Sequence, residues 1–95
     1  MSTKSTIKSA ISKHVSTNSV WFIDYTNWYV GITSDPKTRR SSHGRPNKWK
    51  HWRTDHHTHA RDIEAHFLDE GMKGDTGGGT YPRYVYVYKH SGPGS

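Results

Sequence analysis

Apolar residues are sparse along this chain, so the few regular recurrences carry most of the structural information. Near the N-terminus Ile7, Ile11 and Val15 recur at a spacing of four within a Ser/Thr/Lys-rich stretch. That spacing predicts a short amphipathic helix packing one stripe on the domain. Residues 19–33 carry two β-rich runs around Asp24-Tyr25-Thr26-Asn27, which reads as a hairpin. A turn centred on Tyr25 and Thr26 would place Phe22 across from Tyr29. Ser34-Asp35-Pro36 then reads as a helix start, with Asp as the cap and Pro in the first turn. This helix is expected to run to about His43 and to stop at Gly44-Arg45-Pro46.

A further helix is expected from about Thr58 to Glu70, with Gly71 closing it. Its apolar stripe is Ala60, Ile63, Phe67 and Leu68. Residues 84–88 alternate Tyr and Val, so one strand face is tyrosine and the other valine. Residues 45–58 have no such pattern and read as a basic, aromatic segment. The pattern divides the chain into an N-terminal helical extension (1–18), one domain (19–90) and a disordered tail (91–95). It contains no internal repeat.

Composition narrows the function classes. The 95 residues carry 14 Lys+Arg against 8 Asp+Glu, a net charge of +6, with 29% hydrophobic residues. Mean hydropathy is −1.03, which borders on the disordered class. Four Trp and six Tyr argue instead for a small globule with a thin core. No apolar run approaches the roughly 18 residues of a membrane span, and no secretory signal is evident. The absence of cysteine excludes disulfides, thiol catalysis and cysteine-based zinc fingers. An intracellular, cytoplasmic protein with a polyanionic partner is the expectation.

Several residues suggest chemistry. Glu64 falls inside the apolar stripe of its helix, where a carboxylate is costly unless paired or bound to a cation. It is either an edge residue that snorkels out or pairs with an Arg, or a metal ligand. Arg39 and His43 are four apart and project from one helix face. An Arg can hold a phosphate, and a His can move a proton. Tyr29 and Gly31 share a strand face, and the glycine admits close approach by backbone or ligand.

Between Lys37 and Arg53 there are seven Lys/Arg and no acid. Lys37, Arg40, Arg45, Lys48, Lys50 and Arg53 with Trp49 and Trp52 suit phosphate contact plus base stacking, or a solvated loop anchored by its tryptophans. Five histidines lie between His51 and His66, without a His-Glu-x-x-His motif, and read as a protonatable surface. Gly77-Gly78-Gly79 lacks the Lys-Ser/Thr of a P-loop and reads as a turn.

In order, Tyr29-Val30-Gly31-Ile32-Thr33, Asp35-Pro36, Arg39 with His43, and Glu64 in a later helix resemble the signature of the GIY-YIG nuclease superfamily. The run from Gly71 to Gly79 and the strand 84–89 resemble small bacterial and phage proteins with that core. The resemblance covers about residues 20–89. It implies an α+β fold, with a three-stranded antiparallel sheet flanked by helices. The 19–33 hairpin would give two strands and residues 84–88 the third. It also implies metal-dependent endonucleolytic hydrolysis of DNA. Glu64 would bind one Mg²⁺, Arg39 would hold the scissile phosphate, and Tyr29 and His43 would position the phosphate and the water. So small a domain implies a homodimer or a partner that delivers the substrate. The strand corresponding to the first signature reads Val20-Trp21-Phe22, without a tyrosine. Two alternatives therefore stand beside the nuclease: a binding module that has lost catalysis, and a protein-interaction (inhibitor) domain using the Tyr84/Tyr86/Tyr88 face.

Overall fold

The computed structural model describes residues 3–18, 25–44, 46, 48–74 and 81–89. In chain order they form α1 (Lys4–Thr17), a 3-10 turn (Tyr25–Asn27), β1 (Trp28–Thr33), α2 (Pro36–Ser42), β2 (Lys50–Arg53), α3 (His57–Asp69) and β3 (Tyr84–Lys89). The three strands make one antiparallel sheet in the order β1-β3-β2. This is the α+β architecture expected from the sequence.

The helices start and stop where side chains satisfy their ends. Thr3 caps α1, its hydroxyl accepting from the Thr6 N–H at 3.0 Å. Ile7, Ile11 and Val15 are buried, as their spacing predicts. Asp35 caps α2, accepting from the Thr38 N–H at 3.2 Å and from the Thr38 hydroxyl at 2.8 Å. Those bonds favour the ionised carboxylate and lower its pKa.

At the end of α3, Gly71 adopts a φ of +114°, which an L side chain rarely takes. The Gly71 N–H reaches the Leu68 carbonyl at 3.1 Å and the Met72 N–H reaches Phe67 at 3.0 Å. Met72 and Phe67 are both buried in the core, which completes a Schellman stop.

The core lies on one face of the sheet. Trp28, Val30, Ile32, Val85 and Val87 point to that side and meet Ile7, Ile11 and Val15 of α1 with Ala60, Ile63 and Phe67 of α3. Each such aliphatic or aromatic side chain contributes about 1.5–3 kcal/mol on burial. An ion pair between Lys4 and Asp62 at 3.1 Å links α1 to α3, but both groups are exposed and it adds little. Beyond α3 the chain runs beside β1. The Lys73 N–H reaches the Trp28 carbonyl at 2.9 Å, and the Val30 N–H reaches the Lys73 carbonyl at 2.8 Å.

Two expectations change. Tyr25 and Thr26 lie in the predicted turn region, as the 3-10 turn that leads into β1. The partner strand expected around 20–23, with Phe22, lies outside the described residues. The third described strand is instead Lys50–Arg53, within the segment read as basic and aromatic. Its alternation is muted because it lies at the sheet rim, where only Trp52 is half-buried. The glycine run 75–79 and the tail 91–95 also lie outside the described residues. Among the described residues no helix is long and apolar enough to cross a membrane.

Candidate active site

Pleating sends Tyr29 and Gly31 of β1, Tyr86 and Tyr88 of β3, and His51 of β2 to the face away from the core. The register sets Tyr29 opposite Tyr88, and Gly31 and His51 on either side of Tyr86. This face holds a set of nearly parallel rings. Tyr29 stacks on Tyr88 with centroids 4.9 Å apart and planes at 18°. Trp49, just before β2, stacks on Tyr86 at 4.4 Å and 14°. Offset stacks of this kind contribute about 0.5–1.5 kcal/mol beyond area burial.

Gly31 explains why the rings can lie so close to the sheet. A Cβ there would fall 2.3 Å from the Tyr86 hydroxyl and 2.4 Å from the ring carbon bearing it. The close approach expected at this glycine is therefore made by Tyr86. Of the Tyr84/Tyr86/Tyr88 face, Tyr86 is 2% and Tyr88 9% exposed, while Tyr84 is half-buried.

α2 delivers the polar groups to this face. His43 ends the helix as its C-cap, and Gly44 turns away with a φ of +76°. The His43 ring sits 5.2 Å from the Tyr29 ring. Its Nε2 lies 3.1 Å from the Tyr86 hydroxyl and its Nδ1 3.3 Å from the Tyr88 hydroxyl. A neutral imidazole in this position accepts from one phenol and donates to the other, so its orientation is fixed from both sides. Arg39 lies one turn earlier on α2 and is half-buried, and among the described residues its guanidinium forms no ion pair. The structure thus brings Tyr29 and His43 together, with Arg39 on the same short helix.

Glu64 occupies α3, whose Ala60, Ile63 and Phe67 pack into the core. It is 8% exposed and lies among the buried positions Ala60, Ile63 and Phe67, so it does not snorkel into solvent. Among the described residues no group of three or more His, Asp or Glu side chains converges as a multidentate metal site would. The histidines from His56 to His59 form ring contacts instead, His56 lying 4.4 Å from His57.

Comparison with protein-family models returned no match, nor did comparison with curated proteins or with solved structures. The chemical reading therefore rests on the residues themselves.

The basic segment divides between the two faces. Lys37, Arg40, Lys48, Lys50 and Arg53 are exposed, while Arg45 lies outside the described residues. Trp49 stacks on the tyrosine face, whereas Trp52 packs against the core, with the Lys50 ammonium 5.7 Å from its ring centre. Tyr86 and Tyr88 as the holders of His43 were not singled out in the sequence. The signal was available in strand pairing, where a glycine opposite an aromatic marks a ring lying across the backbone.

His51 ties the platform to pH. The Trp49 indole N–H donates to His51 Nδ1 at 3.1 Å, which requires that nitrogen to be unprotonated. Partial desolvation, and secondarily the charge of Arg40, lower the His51 pKa from 6.5. Folding thus favours the neutral ring. Its contribution is complete above the unfolded value of 6.5 and is lost as pH falls from there through the lower folded value. Urea midpoints at pH 7.5 and pH 5 should therefore fall more steeply for the wild type than for His51→Gln. Equal falls would remove His51 from the account.

Proposed function

We propose that this domain binds nucleic acid and hydrolyses phosphodiester bonds in DNA, as a GIY-YIG-type endonuclease. The observation that carries the reading is His43 held by two phenols beside Tyr29, with Arg39 one turn away on the same helix. A cationic guanidinium and a fixed imidazole beside a phenol form a small phosphate site. The exposed lysines and arginines from Lys37 to Arg53 supply the surrounding positive field.

In this reading Arg39 holds the phosphate and neutralises charge as it builds on the non-bridging oxygens. Tyr29 orients the phosphate and the attacking water. The water oxygen forms a bond to phosphorus as the ester P–O bond breaks, the water gives up a proton, and the departing oxygen takes one up. Both nitrogens of His43 bond to phenols, so the ring would move that proton by relay through the Tyr86 or Tyr88 hydroxyl.

Glu64 is the residue that would hold a divalent cation. A lone carboxylate fits Mg²⁺, which usually keeps several waters and takes its remaining oxygens from substrate phosphate. It does not fit a structural zinc site, which needs four protein ligands. The cation would supply Lewis-acid stabilisation of the leaving oxygen.

The test is nicking of supercoiled plasmid by the full chain. Conversion in Mg²⁺ or Mn²⁺ that stops in EDTA is expected. A full rate in EDTA would refute the metal-dependent mechanism. A second reading, a module that binds nucleic acid without cutting it, is favoured by the missing phenol at Val20-Trp21-Phe22. It predicts salt-sensitive DNA binding with no nicking in any metal.

A further inference from the structure

We propose that the cleft between α1 and β2 is a second phosphate-binding site, seating a backbone phosphate of the bound nucleic acid away from the reacting bond. The inference rests on the nucleic-acid reading above. The cleft has a volume of about 270 Å³ and is lined by Ala10, Lys13, His14 and Thr17 of α1 with Lys50 of β2.

Its chemistry is cationic and hydrogen-bond donating. Two ammonium groups and a hydroxyl surround it, and no carboxylate lines it. Such a donor set suits phosphate oxygens, while the rest of the wall is the carbon of Ala10, Thr17 and the lysine stems. Among the described residues Lys13 forms no ion pair, whereas Lys4 on the same helix is engaged with Asp62.

The walls are held in place before any ligand arrives. His14 Nε2 lies 2.7 Å from the Lys48 carbonyl, which pins α1 to the start of β2. The same ring meets Trp28 edge-on at 5.4 Å and Trp52 at 6.2 Å. α1 is thereby more than a packing stripe, because its polar side forms half of a basic site.

A polymer fits better than a free anion because the basic surface is continuous across β2. Trp49 lies on the tyrosine face with Tyr86, while Lys50 pairs with Val87 and faces the other way. Lys48, Trp49 and Lys50 are consecutive, so the chain passes from one face to the other at the sheet rim within roughly 7 Å. Successive phosphates of one strand lying across that rim would reach both faces.

The test measures DNA affinity of the full chain in EDTA over a range of salt, on duplex and single-stranded probes. Wild type is compared with Lys13→Gln, Lys13→Gln/Lys50→Gln, and Lys8→Gln as a same-charge control outside the cleft. Loss of one phosphate contact should reduce the slope of log affinity against log salt by about 0.9 on duplex, or about 0.7 on a single strand. Lys13→Gln should show this reduction by itself, the double variant at least as much, and Lys8→Gln should not.

Equal changes in all variants would reduce the effect to net charge and overturn the proposal. An unchanged slope in the Lys13 variants, with nicking intact, would overturn it while leaving the proposed function standing. No binding by the wild type at low salt would refute both. Inorganic phosphate followed by NMR forms the last arm. Binding that Lys13→Gln abolishes, with DNA slopes unchanged, would assign the cleft to the free anion and overturn the proposal.

Discussion

Glu64→Gln is expected to abolish metal-dependent nicking while the domain stays folded. The substitution keeps the side-chain volume and removes the charge. Glu64 is 8% exposed on a helix face otherwise made of Ala60, Ile63 and Phe67, where an ionised carboxylate pays desolvation that a neutral amide pays only in part. A purely structural carboxylate there would show itself mainly in the unfolding midpoint. A metal-holding carboxylate would show itself in rate, by roughly 10²–10³-fold or more, the scale for removing one charge-stabilising group. The expected pattern is therefore a stability change within about 1 kcal/mol, the size usual for a mild substitution, and cleavage at background. Urea unfolding and plasmid nicking on the same preparation check both halves. Unfolding with residual activity proportional to the folded fraction would assign Glu64 to the core instead.

Gly31→Ala is expected to destabilise the domain strongly for a change of one methyl. The added Cβ would lie 2.3 Å from the Tyr86 hydroxyl, so either the ring or the β1 backbone must move. Tyr86 cannot yield freely, because Trp49 stacks on it and His43 bonds to its hydroxyl. Overpacking of this kind costs about 1–3 kcal/mol, occasionally more. That is a large share of the stability of a small domain, on the order of 5 kcal/mol. Tyr86→Leu in the Gly31→Ala background should recover part of the loss, since it removes the obstructing ring end. Urea midpoints of the two single variants and the double variant test this. Additive losses would show that Tyr86 is not the obstacle.

The contrast between what the sequence revealed and what it hid follows from where each signal is stored. Helices α1, α2 and α3 were legible because their information is local: Ile7, Ile11 and Val15 at helical spacing, Asp35 before Pro36, and Gly71 after the Phe67 stripe. β3 was legible from strict alternation. β2 was not, because Lys50-His51-Trp52-Arg53 lies at the sheet rim and has only one half-buried member. Its membership depends on pairing with β3, more than thirty residues later in the chain.

The site shows the same division. The helical spacing of Arg39 and His43 placed them on one face, and Tyr29 joined them through the family resemblance. The burial of Tyr86 and Tyr88 was hidden, because the alternating strand reads as a tyrosine surface until His43 and Trp49 fold over it. That covering turns a candidate docking face into the holder of a histidine.

The most direct test of the proposed hydrolysis places wild type and Glu64→Gln side by side on supercoiled plasmid, in Mg²⁺, in Mn²⁺ and in EDTA. Nicking by the wild type is expected in metal alone, and none by the variant in any condition. Equal nicking by the two proteins, or nicking that persists in EDTA, would contradict the proposed mechanism.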